Sequence, residues 1–174
     1  MQIIFAEPLD AAAFAPFGEV LAFDCSNART VNDGFAQRSD LAARFDSAGF
    51  ESAPKVAIFR ARHQALPASI GFVERHPHST QAFMPLAPAG FLVVVTPDAP
   101  DGGPDLANAR AFLGREGQGV NYRRGLWHAP ITAIEADSDF LMLSWERNLP
   151  DDTIVQRLAS PFLIRPPEET SNGA

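Results

Sequence analysis

Fifteen prolines spread through 174 residues rule out a helical bundle, because a proline inside a helix removes a backbone hydrogen bond and clashes with the preceding turn. Between them, short runs of β-branched and aromatic residues recur every roughly ten to twenty residues, the pattern of an all-β sandwich or barrel. The pattern predicts strands over 56–62, 70–76, 91–96, 110–113, 120–122, 131–134, 140–145 and 154–158. Turn-rich segments at 97–104 and 114–119 separate some of them. Helix is expected only over 11–17, capped by Asp10, limited by Pro16 and stopped by Gly18, and for one turn over 105–108. The length suits one domain over 1–165 with a flexible polar tail over 166–174.

Composition narrows the function classes. A formal net charge of −7 works against binding nucleic acid, where Lys and Arg supply most of the affinity. No apolar run approaches the roughly 20 residues that span a bilayer, so a soluble protein with no membrane association is expected. The N-terminal Met-Gln-Ile-Ile-Phe-Ala-Glu lacks a basic leader region, which makes the cytoplasm the expected compartment. Cys25 is the only cysteine, too few for an intrachain disulfide or a thiolate metal cluster, and reads as a small residue near a loop.

The chemistry-bearing residues fall in two segments, 74–83 and 119–128, which hold three of the four histidines. They read as two opposing walls of one polar pocket. Arg60, Arg62, Arg75, Arg123 and Arg124 lie in or near the same segments, and an acidic protein with a locally basic pocket points to a small anionic substrate. Side chains two apart share a face of a strand, so Glu74, His76 and His78 point the same way if the strand continues past Pro77. Glu74, drawn into a barrel mouth, is a candidate general base, with an ion pair to Arg75 as the alternative. Tyr122, the lone tyrosine, and His128 are candidate acids. Arg60 follows Val56 and Ile58 in alternation, on a face where a buried guanidinium would need an anion such as a substrate carboxylate. Arg75, Gln81 and Arg124 complete the substrate-binding candidates.

Two readings of the histidines stand side by side. His76 and His78 at i and i+2, with His128 from a distant strand and Gln81 as a neutral oxygen ligand, form a candidate site for a divalent metal. The same imidazoles in a metal-free pocket would act by hydrogen bonding and proton transfer. No organic cofactor is expected.

The chain resembles the ureidoglycolate lyase family of the cupin superfamily. The matching blocks are Phe14 to Gly18 with Val20, Val31-Asn-Asp-Gly34 with Arg38 and Leu41, Arg60, and Leu66-Pro67. They continue through Glu74-Arg-His-Pro77, Thr80-Gln-Ala-Phe83, Pro104-Asp-Leu106, Arg110-Ala-Phe112, Gly117-Gln-Gly-Val-Asn-Tyr122 and Trp127-His128. His78 departs from that pattern, and the part beyond Trp145 contributes little. The resemblance implies a cupin-type double-stranded β-helix, a jelly-roll barrel, with a short N-terminal helix. It also implies a homodimer and a carbon–nitrogen lyase of the amidine-lyase type. That enzyme cleaves (S)-ureidoglycolate to glyoxylate and urea in allantoin and purine catabolism, and some members are stimulated by nickel or a similar divalent ion. A metal-dependent cupin of other chemistry, a dioxygenase or isomerase, and a non-catalytic binder of small carboxylates are the competing readings.

Overall fold

The computed structural model describes residues 1–49 and 53–168. Fifteen strands build it: β1 (Gln2–Phe5), β2 (Glu7–Pro8), β3 (Gly18–Ala22), β4 (Arg29–Val31), β5 (Ala36–Arg38), β6 (Lys55–Ala61), β7 (Ala68–Arg75), β8 (Gln81–Pro85), β9 (Phe91–Thr96), β10 (Arg110–Gly114), β11 (Gln118–Tyr122), β12 (Trp127–His128), β13 (Thr132–Ala133), β14 (Ser138–Ser144) and β15 (Ile154–Arg165). The α-helix α1 (Ala11–Phe14) is shorter than expected. Asp10 caps it by accepting from the Ala12 and Ala13 amides, and Pro16, which has no N–H to continue the ladder, ends it.

Eight strands form one sheet, β1-β15-β7-β12-β9-β10-β2 with β13 also on β9, and five form a second, β3-β11-β8-β14-β6. Among the described residues, strands β4 and β5 pair only with each other. The all-β barrel expected from the sequence is therefore what the chain forms. Alternation sets the layers, as β9 shows. Phe91, Val93 and Val95 join a core between the sheets with Phe83, Phe112, Tyr122 and Phe140, while Leu92 and Val94 serve a second core with Ile4, Ile70, Phe162 and Ile164. All of these side chains are buried. The larger sheet curls until β1 touches β10, which encloses the second core. Because β9 is buried on both faces, it reads in sequence as an unbroken apolar run.

One expected boundary shifts in a way that matters for function. The strand expected over 70–76 ends at Arg75, and Pro77 starts a turn that carries the chain to the other sheet. The strands β1, β3 and β8 were not visible in the periodicity. Of the tail expected over 166–174, residues 169–174 lie outside the described residues, and 166–168 follow β15 without regular structure.

Gly18 is one position where the backbone leaves no choice. Its φ is +145°, and a Cβ there would sit 2.0 Å from the Asn121 carbonyl oxygen. A side chain is excluded on both counts, and this is what lets β3 pair with the end of β11, Gly18 opposite Tyr122.

Candidate active site

Strand register builds the site. His128 on β12 is paired directly with Glu74 on β7, and Tyr122 on β11 with Gln81 on β8. The two polar segments are thus not opposing walls. Each crosses from one sheet to the other, so that one wall is Glu74 with His128 and the other is Gln81 with Tyr122.

The two walls meet closely. The Tyr122 ring stacks on the His128 imidazole, with centroids 4.2 Å apart and planes 19° from parallel. His76, just beyond β7, brings its ring to 5.5 Å from that of His128 and its Nε2 to 4.0 Å from Glu74 Oε1.

Hydrogen bonding fixes the tautomers. His128 Nδ1 lies 2.9 Å from the Leu126 carbonyl oxygen and His76 Nδ1 lies 3.2 Å from that of Asp152. A carbonyl only accepts, so both rings donate from Nδ1 and carry their lone pairs on Nε2. His76 Nε2 and the Tyr122 hydroxyl are buried with no hydrogen-bond partner among the described residues. His128 Nε2 lies 3.1 Å from the Gln81 side-chain oxygen. Two acceptors do not bond each other, so this pair requires the Gln81 amide turned to present its NH2, or a cation shared between them.

Burial governs the electrostatics. It pushes the Glu74 carboxyl up from the usual range and the Tyr122 hydroxyl upward, the latter with help from the Glu74 charge. It pushes His76 down, against the pull of the Asp152 carbonyl. His128 is lowered to about 3 by burial and by its neighbour His76. Both imidazoles therefore rest neutral at ordinary pH, and neither is a resting proton donor.

One donor atom from each of Glu74, His76 and His128 lies within 4.8 Å of the others. Two imidazole lone pairs and a carboxylate converge, and each ring is held from behind by a backbone carbonyl, the support that metal-binding histidines usually have. These three residues fit a divalent cation. His78 is not among them, because its strand has ended and its Nε2 lies 3.0 Å from Asp151 Oδ2. Gln81 adjoins His128 but belongs to the opposite wall.

The site opens into a cavity of about 220 Å³ lined by Phe59, Arg60, Ala61, Arg62, Glu74, Gln81, Phe83, His128, Pro130 and Ile131. Arg60 reaches its rim in a different state from the one expected. Phe59 and Ala57 pair with the buried Phe140 and Met142, so the inward face of β6 is Ala57, Phe59 and Ala61. Val56, Ile58 and Arg60 face outward. Arg60 stands opposite Asp139 and binds its carboxylate through Nε at 2.8 Å and Nη2 at 2.9 Å. Arg75 lies away from the cavity, its guanidinium 4.6 Å over the Trp127 ring and donating to the Gly102 carbonyl. Arg124 is exposed and lines a separate polar hollow with Glu19, Arg44 and Asp46.

Sequence reasoning missed the apolar floor, Phe59, Phe83 and Ile131, and the loop at Asp152 and Thr153 that holds His76. The floor residues carry no signal distinct from core packing. The loop is some 75 residues from His76, beyond the reach of any local pattern.

Comparison with known proteins places the chain in a family. The family model described as ureidoglycolate lyase matches residues 1–164. A ureidoglycolate lyase of Brucella melitensis is 41% identical over 165 residues, covering 95% of this chain and 95% of its own length. Ureidoglycolate lyases of Pseudomonas syringae pv. tomato and Azotobacter vinelandii are each 43% identical and cover 82% of this chain, with 83% and 85% of their own lengths. Among solved structures, RmlC from Streptococcus suis in complex with dTDP-D-xylose aligns with 77% of this chain and 75% of that chain, at a TM-score of 0.42 and 11% identity. By full-length match and by identity to these relatives, the chain belongs to the ureidoglycolate lyase family.

Proposed function

We propose that this chain cleaves ureidoglycolate to glyoxylate and urea, a step in the breakdown of allantoin and purines. The single observation that carries the reading is the family match over 1–164, and the cluster of half-buried Glu74 and His76 with buried His128, beside a small cavity, gives it a chemical seat. The (S) enantiomer is the expected substrate.

The reaction moves one proton and breaks one bond. The hydroxyl oxygen loses its proton as the glyoxylate carbonyl forms, the carbon–nitrogen electron pair leaves with the ureido nitrogen, and that nitrogen gains a proton to become urea. Glu74 suits both transfers, because burial raises its carboxyl and so strengthens the carboxylate as a base, while burial weakens the two imidazoles as bases. In this role it takes the hydroxyl proton and returns it to the departing nitrogen. The neutral Tyr122 hydroxyl, buried and without a partner among the described residues, is a hydrogen-bond donor for developing charge. Stacking of Tyr122 on His128 keeps both rings in place.

A divalent cation such as nickel would be held by Glu74, His76 and His128, and when bound it supplies Lewis acidity that lowers the pKa of a coordinated hydroxyl. In that case Glu74 would serve as a ligand beside the two imidazoles. The geometry favours this set of three over the one built on His78.

A homodimer is part of the same reading. Strand β6 is an unpaired edge of the five-stranded sheet, and its outer face exposes Val56 at 60% and Ile58 at 56% beside Leu141. Uncovered apolar edges of this kind favour pairing with another chain. Among the described residues no helix is long and apolar enough to cross a membrane, and a cytoplasmic setting accords with the lone exposed Cys25. Following glyoxylate release from each enantiomer of ureidoglycolate tests the assignment. Turnover confined to the (S) form is expected, and saturable binding without turnover would return the chain to the class of carboxylate-binding proteins.

A further inference from the structure

The cavity raises a charge problem that its catalytic residues do not solve. A carboxylate entering it passes Glu74 and His128 among the lining side chains, neither of which is a fixed cation, and a buried carboxylate is costly without a cationic partner. Two guanidinium groups line the cavity, Arg60 and Arg62. The fork of Arg60 is already closed on Asp139 by two parallel hydrogen bonds, and Asp137 adds further negative charge beside it. Its charge is matched before any ligand arrives.

Arg62 differs. It follows the last residue of β6, is exposed, and forms no hydrogen bond or ion pair with any described residue. Together with Pro130 and Ile131 this exposed residue lines both the catalytic cavity and a second hollow of about 240 Å³. It therefore stands where the cavity meets the exterior. We propose that Arg62 is the carboxylate anchor of the active site, binding the substrate carboxylate at the mouth so that the carbon bearing the hydroxyl and ureido groups faces Glu74. The assignment rests on the ureidoglycolate reading for the identity of the substrate. It rests on Arg62 being, among the described residues, the cavity cation without a partner for the location of the anchor. A guanidinium offers two parallel N–H groups to a carboxylate, which an ammonium cannot reproduce.

The test compares Arg62→Gln, Arg62→Lys and Arg60→Gln with the wild-type protein, using ureidoglycolate turnover and calorimetric binding of oxamate, an inert small carboxylate. Arg62→Gln is expected to raise KM and the oxamate Kd by about 10- to 100-fold, with kcat changed by no more than a few-fold. Arg62→Lys should recover only part of the loss. An oxamate Kd and KM within about two-fold of wild type in Arg62→Gln overturns the assignment, as does a loss seen in Arg60→Gln but not in Arg62→Gln. If the wild-type protein binds oxamate through Arg62 but never turns over ureidoglycolate, the anchor stands and the substrate reading falls. Since Arg62 is exposed and has no partner among the described residues, unchanged melting of both Arg62 variants is expected, which separates binding effects from folding ones.

Discussion

Glu74 and His128 face each other across neighbouring antiparallel strands, paired in register on β7 and β12. Cross-strand partners have Cβ atoms only about 4.5–5.5 Å apart, so the backbone ladder itself fixes the separation of the carboxylate and the imidazole. The site owes its geometry to strand pairing and needs no flexible loop to assemble this pair.

Replacing the Glu74 carboxylate by an amide removes its basicity and keeps its shape. Glu74→Gln is expected to lower kcat by on the order of 100-fold or more while oxamate binds at least as tightly as to the wild-type protein, since a like charge beside it has been removed. Steady-state kinetics and calorimetry on the same preparation check this, and near-normal turnover would remove Glu74 from the chemistry.

Metal binding discriminates between the two histidine sets. Nickel titrated into chelator-treated protein should bind with an affinity that drops by at least about 10-fold in His76→Ala and in His128→Ala. His78→Ala should change it by less than about three-fold, because His78 is turned to Asp151. Equal losses in all three variants would restore His78 to the ligand set.

The stability of the metal-free protein should fall on acidification. His128 has a folded pKa of about 3 against an ordinary 6.5, so between these values the unfolded chain binds a proton that the folded chain refuses. Stability is full above pH 6.5 and declines toward pH 3, with a limiting slope of about 1.4 kcal/mol per pH unit for this one group. Glu74 acts in the opposite sense. Its carboxyl is raised above the ordinary 4.5, so in the window above 4.5 the folded state binds the proton more tightly and acidification gains stability. Urea denaturation across pH 7 to 4 should show a shallower slope in His128→Gln and a steeper one in Glu74→Gln. A slope unchanged in His128→Gln contradicts the neutral resting state of that ring.

Gly18→Ala should destabilise the protein by about 2 kcal/mol or more, since the residue must hold a left-handed φ and its Cβ would strike the Asn121 carbonyl. A melting temperature lowered by several degrees in calorimetry is the expected result, and an unchanged one would mean that β3 shifts without cost.

Much of the fold was legible in the sequence because prolines and short apolar runs respond to local rules. The run 91–96 coincides with β9 because both its faces are buried. The strand at 81–85 escaped notice because Gln81 and the prolines after it resemble a loop, and only its pairing with β11 and β14 makes it a strand. For the site, Glu74, His76, Gln81, Tyr122 and His128 do come together. Their pairing across two sheets is set by register, which depends on the whole barrel. Arg60 was misplaced because Val56 and Ile58 are apolar but face outward, so the alternation was read with the wrong face inside. Hydrophobicity alone does not tell a core face from an exposed edge that another chain could cover.

The most direct test is a product balance for purified protein with (S)-ureidoglycolate, quantifying glyoxylate, urea and ammonia together. Glyoxylate and urea in equal amounts, without ammonia and with the yield abolished by Glu74→Gln, is the predicted result. Ammonia in place of urea, or no product despite saturable binding, would contradict the lyase chemistry drawn from this site.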